Sequence, residues 1–209
     1  MGGMFLKTSS QQNFRAKQNA AFTWLEALVA IAVISVLILL ILPFNGGGLE
    51  KGEKTQTLSH MKQLHLATQS MALDGLAARN TNLAWPGDTG GTFTNWMRHL
   101  VPEYVGTNDF CKLLSAPGVK VPEGALPAKM SEGALCIYAV RDDSPGTAVF
   151  LTTANFTNAS QGGQPLQRSA KPYGNTGFVV FRKGGDGAIL LKNQATSTNL
   201  VGTYAPLLN

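Results

Sequence analysis

The stretch AFTWLEALVAIAVISVLILLILP, residues 21–43, decides how this chain is read. It is nearly all Leu, Ile, Val and Ala, and no charged residue occurs between Ala27 and Phe44. A run of about 18 apolar residues is long enough to be a membrane-span candidate. About 22 residues at about 1.5 Å each reach roughly 33 Å, against a hydrocarbon core of about 30 Å. The sequence therefore predicts a transmembrane helix over 22–44. One residue resists that reading: Glu26, a carboxylate just inside the start of the helix. Near a helix end it is tolerated if water or a cation reaches it.

Charge and composition divide the chain around this stretch. Residues 1–21 hold Lys7, Arg15 and Lys17 and no acid, so they supply +3 of the formal net charge of +5. With the positive charge concentrated in the leader, a nucleic-acid reading of the whole chain loses its footing. A basic flank before an apolar run instead predicts a cytoplasmic N-terminus, with the bulk of the chain on the other side. The leader is unlike a secretory signal peptide, whose cleavage site follows the apolar region. Here a processing site would precede it.

Pro43 should end or kink the helix, and Asn45–Gly48 reads as a hinge. From there to Arg79 the apolar residues Leu58, Met61, Leu64, Met71 and Ala72, with Thr68, recur at spacings of three and four. That pattern predicts an amphipathic helix lying on a sheet. Prolines 86, 102, 117, 122 and 127 punctuate the next segment, where TNWMRHLVP allows one short helix with Trp96, Met97 and Leu100 inward. Trp85, Trp96 and Tyr104 read as a satellite core there.

Strands are expected at 134–140, 147–155, 177–183 and 187–193, with a tight hairpin over GGDG, Gly184–Gly187. A long polar loop spans Phe156–Thr176. The expected fold is α+β: a long N-terminal helix, half transmembrane and half amphipathic, packed on an antiparallel sheet of about four strands. The corresponding segments are a leader (1–21), a transmembrane helix (22–44), a hinge with an amphipathic helix (45–79) and an exported α+β head (80–209).

Residues that could carry chemistry are sparse. His60 and His65 lie five apart, off the four-residue spacing of helical zinc ligands, and His99 is remote in sequence. Asp142, Asp143 and Asp186 could hold calcium, but they lack EF-hand spacing and read as turn formers. No catalytic residue, cofactor or metal site is expected. Cys111 and Cys136 fall in the exported part, where an oxidising compartment allows a disulfide; two separate buried thiols are the alternative.

A basic leader, AFTWLE, an apolar helix, an amphipathic helix and then a sheet resemble the type IV pilin and type II secretion pseudopilin superfamily. Ala21, Phe22, Thr23, Trp24, Leu25 and Glu26 stand at its processing motif, with Ala21 in place of the usual Gly and Trp24 where Leu is common. MKQLHLATQSMALD and GFVVFRKGGDGAILLKNQ look like the shorter-helix pseudopilin type. The resemblance implies cleavage between Ala21 and Phe22 by a prepilin peptidase, N-methylation of Phe22, and pairing of Glu26 with the new amine of Phe22 on a neighbouring subunit. It also implies other pilin-like subunits, an inner-membrane assembly platform and membrane lipid as partners, and no cofactor. The expected location is the bacterial inner membrane, single-pass, with the head periplasmic. Two other functions stay open: a minor pilin that binds DNA or surfaces through Arg168, Lys171, Arg182, Lys183 and Lys192, and an anchored periplasmic enzyme.

Overall fold

A computed structural model describes residues 23–41, 48–156 and 171–208. The chain divides into two compact units, Met1–Asn45 and Gly46–Asn209.

The N-terminal unit contributes helix α1, Trp24–Ile41, of 18 residues. Its side chains are apolar on every face and open to solvent: Leu28, Val29, Ile31, Val33 and Val36 are all more than half exposed. The expected transmembrane half is corrected here. Among the described residues no helix is long and apolar enough to cross a membrane. At about 1.5 Å per residue, a helix of this length covers about 27 Å, short of a hydrocarbon core of about 30 Å. Leu42, Pro43 and the hinge residues 45–47 lie outside the described residues. The expected amphipathic half is a separate helix in the other unit, and it packs on the sheet.

That second helix, α2, runs Gly48–Ala78. Its buried face follows the three–four spacing: Lys54, Thr57, Met61, Leu64, His65, Thr68, Met71 and Ala72 are all buried. It packs over strand β3 and its neighbours. Short helices α3 (Phe93–Leu100) and α4 (Thr107–Leu113) close the same side. As expected, α3 turns Trp96, Met97 and Leu100 inward. Helix α4, which follows Gly106 in a short polar stretch, was not anticipated. Trp85 and Trp96 are not a satellite: they belong to the main core, where Phe150 meets both rings edge-on.

The sheet has strands β1 (Leu135–Ile137), β2 (Ala148–Thr153), β3 (Phe178–Arg182) and β4 (Gly187–Leu190), antiparallel in that order. A small helix α5 (Thr198–Val201) leads into β5 (Thr203–Tyr204), which pairs parallel to β2 and was not anticipated. Both faces of the sheet are covered, which explains unbroken apolar runs such as FVVF. Val179 and Phe181 face the α2 side, whereas Phe178 and Val180 join Tyr138, Phe156 and Val201 behind the sheet. The β3–β4 hairpin turns at Gly185, whose φ of 91° lies in the left-handed region that glycine favours. The Arg182 amide closes it on the Asp186 carbonyl at 2.8 Å.

Candidate functional site

The start of α1 is organised by two side chains. Thr23 precedes the helix, and its amide and hydroxyl each donate to one oxygen of Glu26 at 2.9 Å. In return the Glu26 amide donates to the Thr23 hydroxyl at 3.3 Å. This is a capping box: residue N3 reaches back to the N-cap while the N-cap satisfies an orphan amide of the first turn. The Thr-x-x-Glu spacing is legible in the sequence, and it satisfies one Glu26 oxygen within the helix. Both side chains remain exposed, so the second oxygen of Glu26 is open to an external donor. Further along α1, the Ser35 hydroxyl donates to the Ile31 carbonyl at 2.8 Å, so this lone polar side chain is satisfied within the helix. Ala21 and Phe22, the proposed cleavage and methylation positions, lie outside the described residues.

Cys111 and Cys136 are free, buried thiols. The disulfide entertained from sequence is not formed, and strand alternation gives the reason. In β1, Leu135 and Ile137 face the α2 side with Cys111, while Cys136 points into the cluster behind the sheet. Cys111 Sγ donates to the Ala125 carbonyl at 3.5 Å, and burial pushes the Cys136 thiol up to about 11. The raised pKa makes Cys136 a poor nucleophile, and Cys111 is buried away from solvent.

The histidines do not converge. His65 is buried with Nε2 at 2.7 Å from the Lys183 carbonyl, its ring among Trp85, Phe150 and Phe181. Burial pulls its pKa below the ordinary imidazole value, opposed by the bond to Lys183. His60 lines a cavity of about 670 Å³ beside the Ser115–Glu123 turn, with Nδ1 buried and unpartnered. His99 stands apart on α3. Asp186 binds Arg182 within the hairpin, and the Asp142 amide donates to Asp88 at 2.8 Å. Among the described residues no three His, Cys, Asp or Glu side chains are grouped to hold a metal.

Of the basic residues proposed for DNA, Arg182 and Lys183 are used internally. The Arg182 guanidinium serves the carbonyls of Val201 and Leu200 as well as Asp186. The Lys183 ammonium donates to the carbonyls of Asp142 and Ser144 and sits 5.6 Å from the centre of the Trp85 ring. Lys171 and Lys192 remain on the surface, and Arg168 lies outside the described residues. The sequence also missed Lys54, a buried ammonium 2.6 Å from Glu50 and 5.4 Å from the Tyr173 ring centre. Together with the Thr57–Tyr173 hydroxyl pair at 2.7 Å, it pins α2 to the turn before β3.

Comparison with protein-family models, with curated proteins and with solved structures gives no match to this chain.

Proposed function

We propose that this chain is a structural, pseudopilin-like subunit of a type II secretion or type IV pilus-like machine. It is cut between Ala21 and Phe22 and N-methylated by a prepilin peptidase, and α1 serves as the assembly segment. One observation carries the reading: α1 is apolar on every face, exposed at nearly every position from Trp24 to Ile38, and opens with a carboxylate anchored by Thr23. A helix that is hydrophobic all round needs cover on all sides. Equivalent helices of neighbouring subunits, held by an assembly platform, provide such cover without any catalytic group. The Glu26 oxygen left free by the cap is positioned to take the new amine of Phe22 from a neighbour, and the helix dipole favours an anion there. The work is mechanical, and the C-terminal unit is carried outside the cytoplasm.

Glu26→Gln and Glu26→Ala separate the two uses of this side chain. Glutamine keeps the capping box but removes the charge, whereas alanine removes both. If the charge sets subunit register, both variants lose filament or secretion activity. If only Glu26→Ala loses it, Glu26 is a helix cap and the amine pairing is wrong.

A further inference from the structure

Of the six methionines, Met61, Met71, Met97 and Met130 lie among the described residues. Met61 and Met71 are fully buried and Met97 is 9% exposed. Cys111 and Cys136 are buried as well. Met130 is therefore the one sulfur-bearing side chain among the described residues that solvent partly reaches. It opens the short turn Met130–Glu132, which precedes β1. That turn is tied by its own bonds: Glu132 Oε2 accepts from the Ala128 amide at 3.0 Å, and the Met130 carbonyl accepts from the Gly133 amide at 3.1 Å. These bonds fix the Met130 backbone, and the side chain packs in part against the main core.

The sulfur has a structural use. Along an antiparallel strand, successive amides point to opposite edges. Just past β1 the Tyr138 amide donates to the Phe150 carbonyl of β2 at 2.9 Å, so the Ile137 amide points to the outer edge. There it donates to Met130 Sδ at 3.0 Å, while the Ile137 carbonyl accepts from the Leu208 amide at 3.0 Å. Ile137 is fully buried, so water does not stand in for the thioether. A buried amide deprived of its acceptor carries the cost of its own desolvation. The outer edge of β1 is thus closed at Ile137 by the one sulfur within reach of solvent.

We propose that Met130 is a modification site for oxidants of the peroxide class, converted to a single sulfoxide epimer whose formation loosens the outer edge of β1. A thioether sulfur has two lone pairs. One faces the Ile137 amide, and the partial exposure of Met130 leaves the other to solvent. The open lone pair attacks one oxygen of hydrogen peroxide: the S–O bond forms as the O–O bond breaks, the sulfur gives up two electrons, and the departing hydroxide takes the remaining proton and leaves as water. Because Ile137 occupies one side of the sulfur, the oxygen adds from the other, and the new stereocentre has one hand. Oxidation makes the side chain polar and the sulfur electron-poor, which weakens its hold on the amide. The new oxygen can take over the amide only if the sulfur moves. An N–H···O bond needs about 2.9 Å between nitrogen and oxygen, and the amide nitrogen is already 3.0 Å from the sulfur. A reductase specific for that epimer restores the thioether. The site is independent of the assembly reading and calls on no residue of α1.

The test treats the full chain in detergent micelles with hydrogen peroxide and follows each methionine by peptide mass spectrometry. Met130 should be fully oxidised while Met61, Met71 and Met97 remain unmodified. After digestion, one of the two epimer-specific sulfoxide reductases should repair nearly all of the Met130 sulfoxide and the other nearly none, whereas a chain oxidised in denaturant should need both. Hydrogen exchange of the Ile137 amide should quicken about five-fold on oxidation. Met130→Leu keeps an apolar side chain without sulfur, and peroxide should then leave Ile137 exchange unchanged. Equal oxidation of the four methionines, both epimers in equal amounts from the native chain, or Ile137 exchange indifferent to oxidation overturns the proposal. A peroxide effect on Ile137 that persists in Met130→Leu does so too. The epimer ratio is read on the unaltered chain, so it decides even where the variant does not fold.

Discussion

Thr23 and Glu26 hold each other across the first turn of α1, with two hydrogen bonds of 2.9 Å onto one carboxylate oxygen and one of 3.3 Å in return. Thr23→Ala removes the hydroxyl that serves both directions and leaves the carboxylate in place. Losing a Thr cap costs about 1 kcal/mol. Hydrogen exchange of the Glu26 amide in the full chain should therefore quicken roughly five-fold, while Glu26→Gln should retain most of the protection of the Thr23 amide.

Glycines in α2 should respond in opposite directions. A Cβ on Gly75 would lie 1.7 Å from the Leu83 carbonyl oxygen, whereas one on Gly52 meets nothing within 4 Å. Gly75→Ala should cost about 1–3 kcal/mol or more, because backbone must move. Gly52→Ala should gain about 0.5–1 kcal/mol from reduced unfolded-state freedom and better helix propensity. Denaturant midpoints of the two variants check the sign of each change.

Acid should weaken the C-terminal unit through its buried His65 and half-buried His60. Burial holds His60 and His65 below the ordinary value of 6.5. A depressed folded pKa means that the unfolded chain binds protons first. The stability is thus complete above about pH 6.5 and is lost as pH falls through that value towards the folded pKa. Urea midpoints measured at about pH 7.5 and about pH 5.5 should differ in the parent chain. His65→Gln should narrow that difference.

Both cysteines should behave as buried, unpaired thiols. With the Cys136 thiol pushed up to about 11 and Cys111 fully buried, a maleimide should label neither in the native chain and both after denaturation. Reductant should leave the melting temperature unchanged. A reductant-dependent melt would show a bond between them.

What the sequence conveyed depended on how local each cause was. The buried face of α2 at Met61, Leu64, Thr68, Met71 and Ala72 follows from spacing alone, and the GGDG hairpin follows from glycine geometry. Lys54 and His65 sit on that same face but were illegible, because their partners Thr176 and the Lys183 carbonyl lie 122 and 118 residues away. The second face of the sheet was hidden for a similar reason: β5 reaches β2 only after the chain has passed through β3 and β4. The membrane-crossing half rested on a helix of about 22 residues; α1 has 18, and among the described residues no helix is long and apolar enough to cross. The Thr23–Glu26 box is local, and its Thr-x-x-Glu spacing is legible in the sequence.

The most direct test of the assembly account is the mass of the N-terminal peptide of the chain recovered from cells that contain a prepilin peptidase. The account requires a chain that begins at Phe22 with a methylated amine, leaving Glu26 one turn from the new cation. A chain that retains Ala21 and the residues before it, with an unmodified Phe22, would contradict it.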